Sequence, residues 1–299
     1  MSARGKSTQD IENQVSAIVS LTPSESKRLI AKAIAKFPEV KRAFKKGLIV
    51  IRPGSTTAFI VEELLGITIN KSDFFSGLVT EGELAFNTSP TKLFPFLIRD
   101  GKQAPMPTDR DIVQEEFTPN DVLIKSANAV DPEGNAGILT AAEIGTGPWS
   151  VLAGARGFHL IVPVGLEKLI PSVIEATKAI PGTYRLKYST GMPVVLFPLL
   201  KAKVVTEIQA FETLCGISAT HISSGGIGGS EASVILCLTG DEQKLDEAMK
   251  LVKAIKGEPP VAKPSRLGPL AKDFDYSAAH YHKSVWPTIG LPPLKGRLL

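Results

Sequence analysis

Residues 48–65 carry, in order, Leu-Ile-Val-Ile-Arg, Pro-Gly-Ser-Thr-Thr and Ala-Phe-Ile-Val-Glu-Glu-Leu-Leu. The first segment, residues 48–52, is a short apolar run of the kind that forms a buried strand. The second, residues 53–57, contains the proline and glycine that break such a strand, and the third predicts a helix that ends near Gly66. Strand, tight turn and helix in this order open a doubly wound sheet, so the chain is predicted to be an α/β protein.

The same alternation continues along the chain to about residue 191. Its predicted elements are a strand over 93–98 with an Asp100-Gly101 turn, a strand over 121–125, a helix over 148–156, a strand over 158–164 and a helix over 166–180. Strands that alternate with helices indicate a parallel sheet with crossover helices. Residues 47–191 are therefore predicted to form a Rossmann-like α/β domain.

The segment before this domain, residues 1–46, is predicted to be helical. Ile11, Val15, Ile18 and Val19 recur at helical spacing, and a second helix is predicted to start near Pro23, which suits a first helical turn. We expect this helical pair to pack on the main sheet or on a partner subunit of a homo-oligomer.

The pattern changes after about residue 190. The predicted elements are a strand over 193–200, a helix over 204–214, strands over 217–222 and 231–238, and a helix over 241–255. This order is most of a ferredoxin-like α+β unit over residues 192–256, with no clear last strand. Residues 257–299 are rich in proline and are predicted to form an irregular tail.

Composition excludes several classes of protein. The 299-residue chain is 43% hydrophobic and 21% charged with a net charge of +4, which is ordinary for a globular protein and excludes general disorder. The densest basic segment, Lys36 to Lys46, is explained by an amphipathic surface helix, so neither nucleic acid nor membrane is predicted as a partner. No apolar run is long enough for a membrane span. Cys215 and Cys237 are unpaired in the sequence, and a reducing, cytoplasmic location is predicted.

The turn after the first predicted strand is the strongest candidate for a binding site. Gly54 lets the backbone approach a ligand, and the following helix offers unpaired N–H groups. With the hydroxyls of Ser55, Thr56 and Thr57, these groups would bind a phosphate or carboxylate. The alternative is a helix start that is capped for structural reasons alone.

Two further segments are candidates. Lys125, Asn128 and Asp131 follow a buried strand, where ligands of open α/β sheets bind, although an Asp-Pro-Glu-Gly turn explains the same residues. Gly226 and Gly228 belong to a glycine-rich stretch between two strands, which fits either a flexible lid over a ligand or a long hairpin loop. The predicted ligand is a small anionic molecule, with no metal and no cofactor.

Several short motifs resemble one enzyme superfamily. The turn Gly54-Ser55-Thr56, the run Ser126-Ala127-Asn128-Ala129-Val130-Asp131 and the segment from Gly137 to Glu143 are similar to stretches of ribose-5-phosphate isomerases. The stretch from Val164 to Ile170 resembles the lactate-utilisation proteins of the same superfamily, which also contains the coenzyme A transferases. The resemblance covers roughly residues 45–255.

This resemblance implies a fold and a chemistry. It implies a Rossmann-like sheet that binds a phosphorylated sugar or related phosphate ester, with Glu143 as general base and Asn128 and Asp131 positioning the substrate. Asn128 and Ala129 stand where the isomerases have acidic residues, so two alternatives stay open. One is an acyl or coenzyme A transferase that uses a glutamate nucleophile, with Glu81, Glu83, Glu133 and Glu143 as candidates. The other is a non-catalytic ligand-binding protein.

Overall fold

The protein is a mixed α/β protein. Its computed structural model describes residues 14–89, 95–106, 116–141 and 147–268. The strands are β1 (Val15–Leu21), β2 (Leu48–Ile51), β3 (Gly77–Thr80), β4 (Glu83–Phe86), β5 (Phe96–Arg99), β6 (Lys102–Ala104), β7 (Val122–Ile124), β8 (Ala129–Val130), β9 (Ala136–Thr140), β10 (His159–Pro163), β11 (Val195–Leu199), β12 (Lys203–Val205), β13 (Ser218–Gly225) and β14 (Ser233–Gly240). The α-helices are α1 (Pro23–Ile34), α2 (Pro38–Lys45), α3 (Ser55–Leu65), α4 (Gly147–Arg156), α5 (Val173–Ala179), α6 (Glu207–Cys215) and α7 (Glu242–Ile255). Among these described helices, not one combines the length and the apolar character that crossing a membrane requires.

A six-stranded mixed sheet lies at the centre, in the spatial order β12-β10-β7-β2-β5-β6. The first four strands are parallel, and β5 and β6 are antiparallel additions at one edge. All four side chains of β2 are buried, because helices cover both faces of the sheet. Ile49 and Ile51 pack with residues of α1, α3 and α6 on one face, and Leu48 and Val50 pack with Trp149 of α4 on the other.

The predicted strand, turn and helix over residues 48–65 are confirmed. The helix α3 begins at Ser55, three residues before the predicted start, because its first turn uses the polar residues that follow Gly54. It ends where Gly66 adopts a left-handed conformation with φ of 64°. The strands predicted over 121–125 and 158–164 are also confirmed, as are the hairpin around Asp100-Gly101 and the helix over 148–156.

The helical prediction for the N-terminal segment is wrong for Val15–Leu21, which form β1. Exposure along this strand alternates: Ile18 is 62% exposed, whereas Val19 and Leu21 are 4% and 0% exposed. Apolar residues placed close together fit a helix or a strand when the run is short. Here antiparallel pairing with β14 decides in favour of the strand. Residues 1–13 lie outside the described residues, while α1 and α2 confirm the helices predicted after Pro23.

A second sheet has the order β1-β14-β13 and is antiparallel throughout. Its buried face packs on α6 and α7, within the same apolar cluster that reaches the central sheet. The hairpin predicted over 217–222 and 231–238 is confirmed. The third strand of this sheet, β1, comes from residues that lie before the predicted 192–256 unit in the sequence.

Three other predicted elements need correction. The strand over 193–200 does not join the second sheet, because β11 pairs with β9 in a separate sheet, β11-β9-β8. Val204 was predicted to begin a helix, but it lies in β12, and α6 starts only after the capping residue Thr206. The helix predicted over 166–180 is a 3-10 turn, Leu166–Lys168, followed by the short α5, with Pro171 between them. Most of the proline-rich tail, residues 269–299, lies outside the described residues.

Candidate functional site at the carboxyl edge of the parallel strands

Charged side chains follow each of the four parallel strands of the central sheet. Arg52 follows β2, Lys125 follows β7, Glu167 and Lys168 lie in the turn after β10, and Glu207 opens the helix after β12. Because parallel strands end at one edge of the sheet, these residues converge there. Helix α1 packs on α6 and adds Ser26 and Lys27. We call these residues the carboxyl-edge cluster.

Gly54 brings two of the turns at this edge into contact. Its N–H donates to the carbonyl oxygen of Phe74 at 2.7 Å. A Cβ atom at this position would lie 2.1 Å from the Ser126 hydroxyl oxygen, which is far inside van der Waals contact. The backbone after β2 can therefore approach the turn after β7 only where a glycine stands.

The hydroxyl groups predicted to bind an anion are in three different environments. Thr57 is buried, and its Oγ1 lies 2.7 Å from the carbonyl oxygen of Arg52 and 2.9 Å from that of Gly54. This hydroxyl therefore closes the turn. Thr56 is also fully buried, but its Oγ1 has no hydrogen-bond partner among the described residues. Ser55 is partly exposed at the first position of α3. Anion binding at this helix start stays a prediction.

Lys125 and Lys168 point their ammonium groups at the turns of this edge. Lys125 Nζ donates to the carbonyl oxygen of Pro53 at 2.9 Å, and Lys168 Nζ donates to that of Ala127 at 3.3 Å. Burial and, secondarily, the neighbouring charges of Arg52 and Lys168 together lower the pKa of Lys125 to about 8. The Arg52 guanidinium lies over the ring of Trp149, 5.6 Å from its centroid.

Two carboxylates lie beside these cations. Glu207 is fully buried, and its Oε2 accepts the N–H of Leu166 at 2.9 Å. Its Oε1, the Ser26 hydroxyl and Glu167 Oε2 are buried without hydrogen-bond partners in the described part of the chain. Glu167 Oε1 lies 3.7 Å from Lys168 Nζ. A buried carboxylate oxygen without a partner is costly, so these atoms indicate a site that a bound molecule or water completes.

The pKa values of Glu207 and Lys27 are shifted in the directions that favour the uncharged form of each side chain. Burial and, secondarily, the nearby charge of Glu167 together raise the pKa of Glu207 to about 7. The Ser26 hydroxyl opposes this shift as a close polar neighbour, although it makes no hydrogen bond of good geometry with the carboxyl group. Burial and the charge of Lys168, opposed by the charges of Glu167 and Glu207, lower the pKa of Lys27 to about 8. The site thus holds a carboxylate and an amine that both exchange protons near neutral pH.

The structure gives the predicted catalytic residues other partners. Asp131 is buried and accepts hydrogen bonds from the N–H of Val173 at 2.9 Å, and from the N–H and side-chain amide of Asn135 at 2.8 and 3.0 Å. Burial alone would raise its pKa, but these hydrogen bonds lower it. Asn128 Oδ1 accepts the N–H of Leu139 at 3.0 Å. Both side chains hold the β8–β9 hairpin together, and Glu143 lies outside the described residues.

The glycine-rich loop and the other proposed glutamate nucleophiles do not belong to the carboxyl-edge cluster. Gly226 and Gly228 are in the β13–β14 hairpin loop, where a Cβ atom on Gly226 would lie 1.8 Å from the Ser230 carbonyl oxygen. Of the proposed transferase nucleophiles, Glu81 forms an ion pair with Lys263, Glu83 is buried in β4, and Glu133 is exposed in a turn. A role for these residues stays a prediction.

Lys125 is the residue of the carboxyl-edge cluster that had been predicted as a ligand-binding residue. Arg52, Glu167, Lys168 and Glu207 each follow a strand in the same way, and this common position is the signal that would have found them. Lys27 offers no comparable signal, because helix packing brings it to the edge. Comparison with protein-family models, curated proteins and solved structures finds no significant match to this chain.

Proposed function

We propose that the protein binds a small phosphorylated molecule, a phosphorylated sugar or related phosphate ester, at the carboxyl-edge cluster. The observation that supports this proposal is the convergence of four cationic side chains on two carboxylates where the parallel strands end. The cations are Lys27, Arg52, Lys125 and Lys168, and the carboxylates are Glu167 and Glu207. The Rossmann-like type of the sheet, as in the isomerases and coenzyme A transferases, is part of the same proposal.

Charge balance favours a dianion as the ligand. Among the described residues the cations of the cluster outnumber its two carboxylates, and a buried excess of positive charge is unfavourable until a ligand of opposite charge balances it. A phosphate ester carries close to two negative charges at neutral pH and would neutralise this excess. Its oxygens would accept hydrogen bonds from Lys125 and Lys168, whose ammonium groups each use one donor on a backbone carbonyl.

Proton transfer is the chemistry that the carboxylates support. A general base works best when its pKa lies near the working pH, and the pKa of Glu207 is raised to about 7. Removal of a proton next to a carbonyl group leaves an enediolate, whose negative charge the ammonium groups of Lys27 and Lys168 would stabilise. Glu207 thus takes the part that the sequence resemblance implied for Glu143.

A transferase role is supported by one specific observation. Buried oxygens of Glu167 and Glu207 have no hydrogen-bond partner among the described residues, so either carboxylate would be able to attack the carbonyl carbon of an acyl thioester and displace its thiolate. This reaction would leave a covalent adduct on a glutamate, whereas isomerisation would leave none.

Calorimetry with ribose 5-phosphate, ribose and inorganic phosphate tests the binding proposal. We expect binding of the ester and no detectable binding of ribose. Lys125→Met should weaken ester binding by about tenfold or more, because a hydrogen bond to a charged group is worth about 1.5–3 kcal/mol. Lys201→Met, at an exposed lysine, is the control. Equal affinity for ribose and its phosphate, or an unchanged affinity of Lys125→Met, would contradict the proposal.

Deuterium exchange tests the proton transfer separately. The wild-type protein should exchange the hydrogen next to the carbonyl group of a bound sugar phosphate with solvent, and Glu207→Gln should not. Binding of the sugar phosphate without hydrogen exchange would instead support a non-catalytic ligand-binding protein. A mass shift on a glutamate after incubation with an acyl thioester would instead establish the transferase reaction.

A further inference from the structure

A groove of about 960 Å³ lies where the ends of several helices meet, and it shares no residue with the carboxyl-edge cluster. Its floor is apolar and consists of Val40, Phe44, Leu64, Leu214 and Leu251. Four of these side chains are only partly buried and pack on the main apolar cluster from outside. A group of neighbouring aliphatic side chains that remains open to water favours burial against a second apolar surface.

The rim of this groove is strongly basic. Among the described residues, six cations and a single carboxylate, Glu63, line it, although the whole chain has an excess of only four positive charges. Lys32 pairs with Glu63 at 3.4 Å. The exposed lysines of the rim have no acidic partner among the described residues, and they are Lys36, Lys41, Lys45 and Lys46.

Helix capping explains only part of this charge. Lys45 and Lys46 end α2, where cations interact favourably with the helix dipole. Lys41 lies in the middle of α2, where no such effect applies, and repulsion among neighbouring lysines is unfavourable. The basic rim therefore fits an anionic surface that is brought to the groove from outside.

We infer that this groove binds an acidic amphipathic helix of a partner protein. The apolar face of such a helix would cover the apolar floor of the groove, and its acidic residues would pair with the lysines of the rim. This arrangement is the helix-in-groove mode of recognition. A nucleic acid would match the charge but not the apolar floor, since bases stack on aromatic side chains and Phe44 is the one aromatic residue among the described residues of the lining.

The chain's own terminal segments do not supply this charge. Residues 1–13 contain two basic and two acidic residues, Arg4 and Lys6 against Asp10 and Glu12. Residues 269–299 contain more basic than acidic residues, namely Lys272, Lys283, Lys295 and Arg297 against Asp273 and Asp275. Neither terminal segment therefore has the acidic charge that would match the rim, which favours an acidic segment of a partner protein.

Fluorescence anisotropy with three labelled probes tests this inference on the full chain. The first probe is a helical peptide of about 18 residues, about five turns, with leucines along one face and glutamates elsewhere. The second is a scrambled peptide of the same composition, and the third is a single-stranded DNA of equal charge. The amphipathic peptide should bind at least about tenfold more tightly than either of the others.

Two double variants locate the site. Lys41→Glu with Lys45→Glu reverses two rim charges and should weaken peptide binding by about tenfold or more. Lys250→Glu with Lys253→Glu changes two exposed lysines of α7 that do not line the groove, and should have little effect. All four positions are exposed, so melting temperatures should be preserved. Equal binding of the scrambled peptide, tighter binding of the DNA, or equal effects of both double variants would overturn the inference.

Discussion

Replacement of Glu207 by glutamine distinguishes the effects of the ionised and the protonated forms of this buried carboxyl group on stability. The side chain is fully buried at the first position of α6, and its Oε2 accepts the N–H of Leu166. A glutamine can accept the same hydrogen bond but cannot ionise. The variant therefore resembles the protonated glutamic acid at every pH, and its stability relative to the wild type should depend on pH.

The size of this effect follows from the pKa shift. Burial, and then the charge of Glu167, raise the pKa of Glu207 from 4.5 to about 7. Between these values the folded protein holds a proton that the unfolded chain has lost, so stability falls as pH rises through the window. At about 1.4 kcal/mol per pH unit the loss reaches about 3 kcal/mol at pH 7 and above. Glu207→Gln should therefore match the wild type near pH 4.5 and exceed its stability by about 3 kcal/mol near pH 8.

Urea unfolding at about pH 5 and about pH 8 measures this difference. Glu242→Gln is the matched control, because Glu242 is exposed and is also the first residue of its helix, α7. The control should change stability by less than about 1 kcal/mol at both pH values. If Glu207→Gln destabilises the protein equally at both pH values, the carboxylate is held ionised by Lys27 and Lys168, and the proposed base has the wrong pKa.

Three smaller predictions follow from single contacts, each measured by urea unfolding. Gly54→Ala should destabilise the protein by about 1–3 kcal/mol, because its Cβ would lie 2.1 Å from Ser126 Oγ; adding Ser126→Ala should recover much of the loss. Ile18→Lys should change stability by less than about 0.5 kcal/mol and Val19→Lys should cost at least about 2 kcal/mol, since adjacent residues of β1 face opposite sides. Thr22→Ala removes the capping box of α1 and should cost about 1 kcal/mol, and an unchanged stability would show that the cap contributes nothing.

The central sheet could be predicted because its strands are buried on both faces. Such strands form uninterrupted apolar runs, as in Leu48–Ile51 and Val122–Ile124, and the breaks after them are marked by proline, glycine or charged residues. β1 lacked this signature, because one of its faces is exposed and its apolar residues are spaced ambiguously. β12 has only three residues and is followed directly by a helix, so the two were read as one helix.

That misread boundary also hid part of the site. With Val204 placed in a helix, Glu207 becomes an ordinary helical residue, whereas in the structure it is the first residue of the helix that follows a parallel strand. Arg52 was likewise assigned to the strand that it follows. Lys125 was assigned to its strand in the same way, but it was recognised because it opens the polar run that extends from Lys125 to Gly137. Errors of a few residues in element boundaries therefore matter most at the carboxyl edge of a parallel sheet. At this edge a residue of the core and a residue of the candidate site lie next to each other in the sequence.

A pattern of residue types also cannot distinguish a buried acidic residue with a structural role from one that is a candidate general base. Asp131 and Glu207 are both buried acidic residues that follow strands, yet Asp131 accepts three hydrogen bonds whereas one oxygen of Glu207 has no partner among the described residues. Hydrogen bonds within the described residues therefore satisfy the Asp131 carboxylate more completely than the Glu207 carboxylate. A buried carboxylate with an oxygen that accepts no hydrogen bond is destabilising, which makes Glu207 a candidate for a functional role. Whether a polar side chain is satisfied depends on segments that are remote in sequence, here α1 and the turn after β10, and so only the folded structure separates the structural acid from the candidate base.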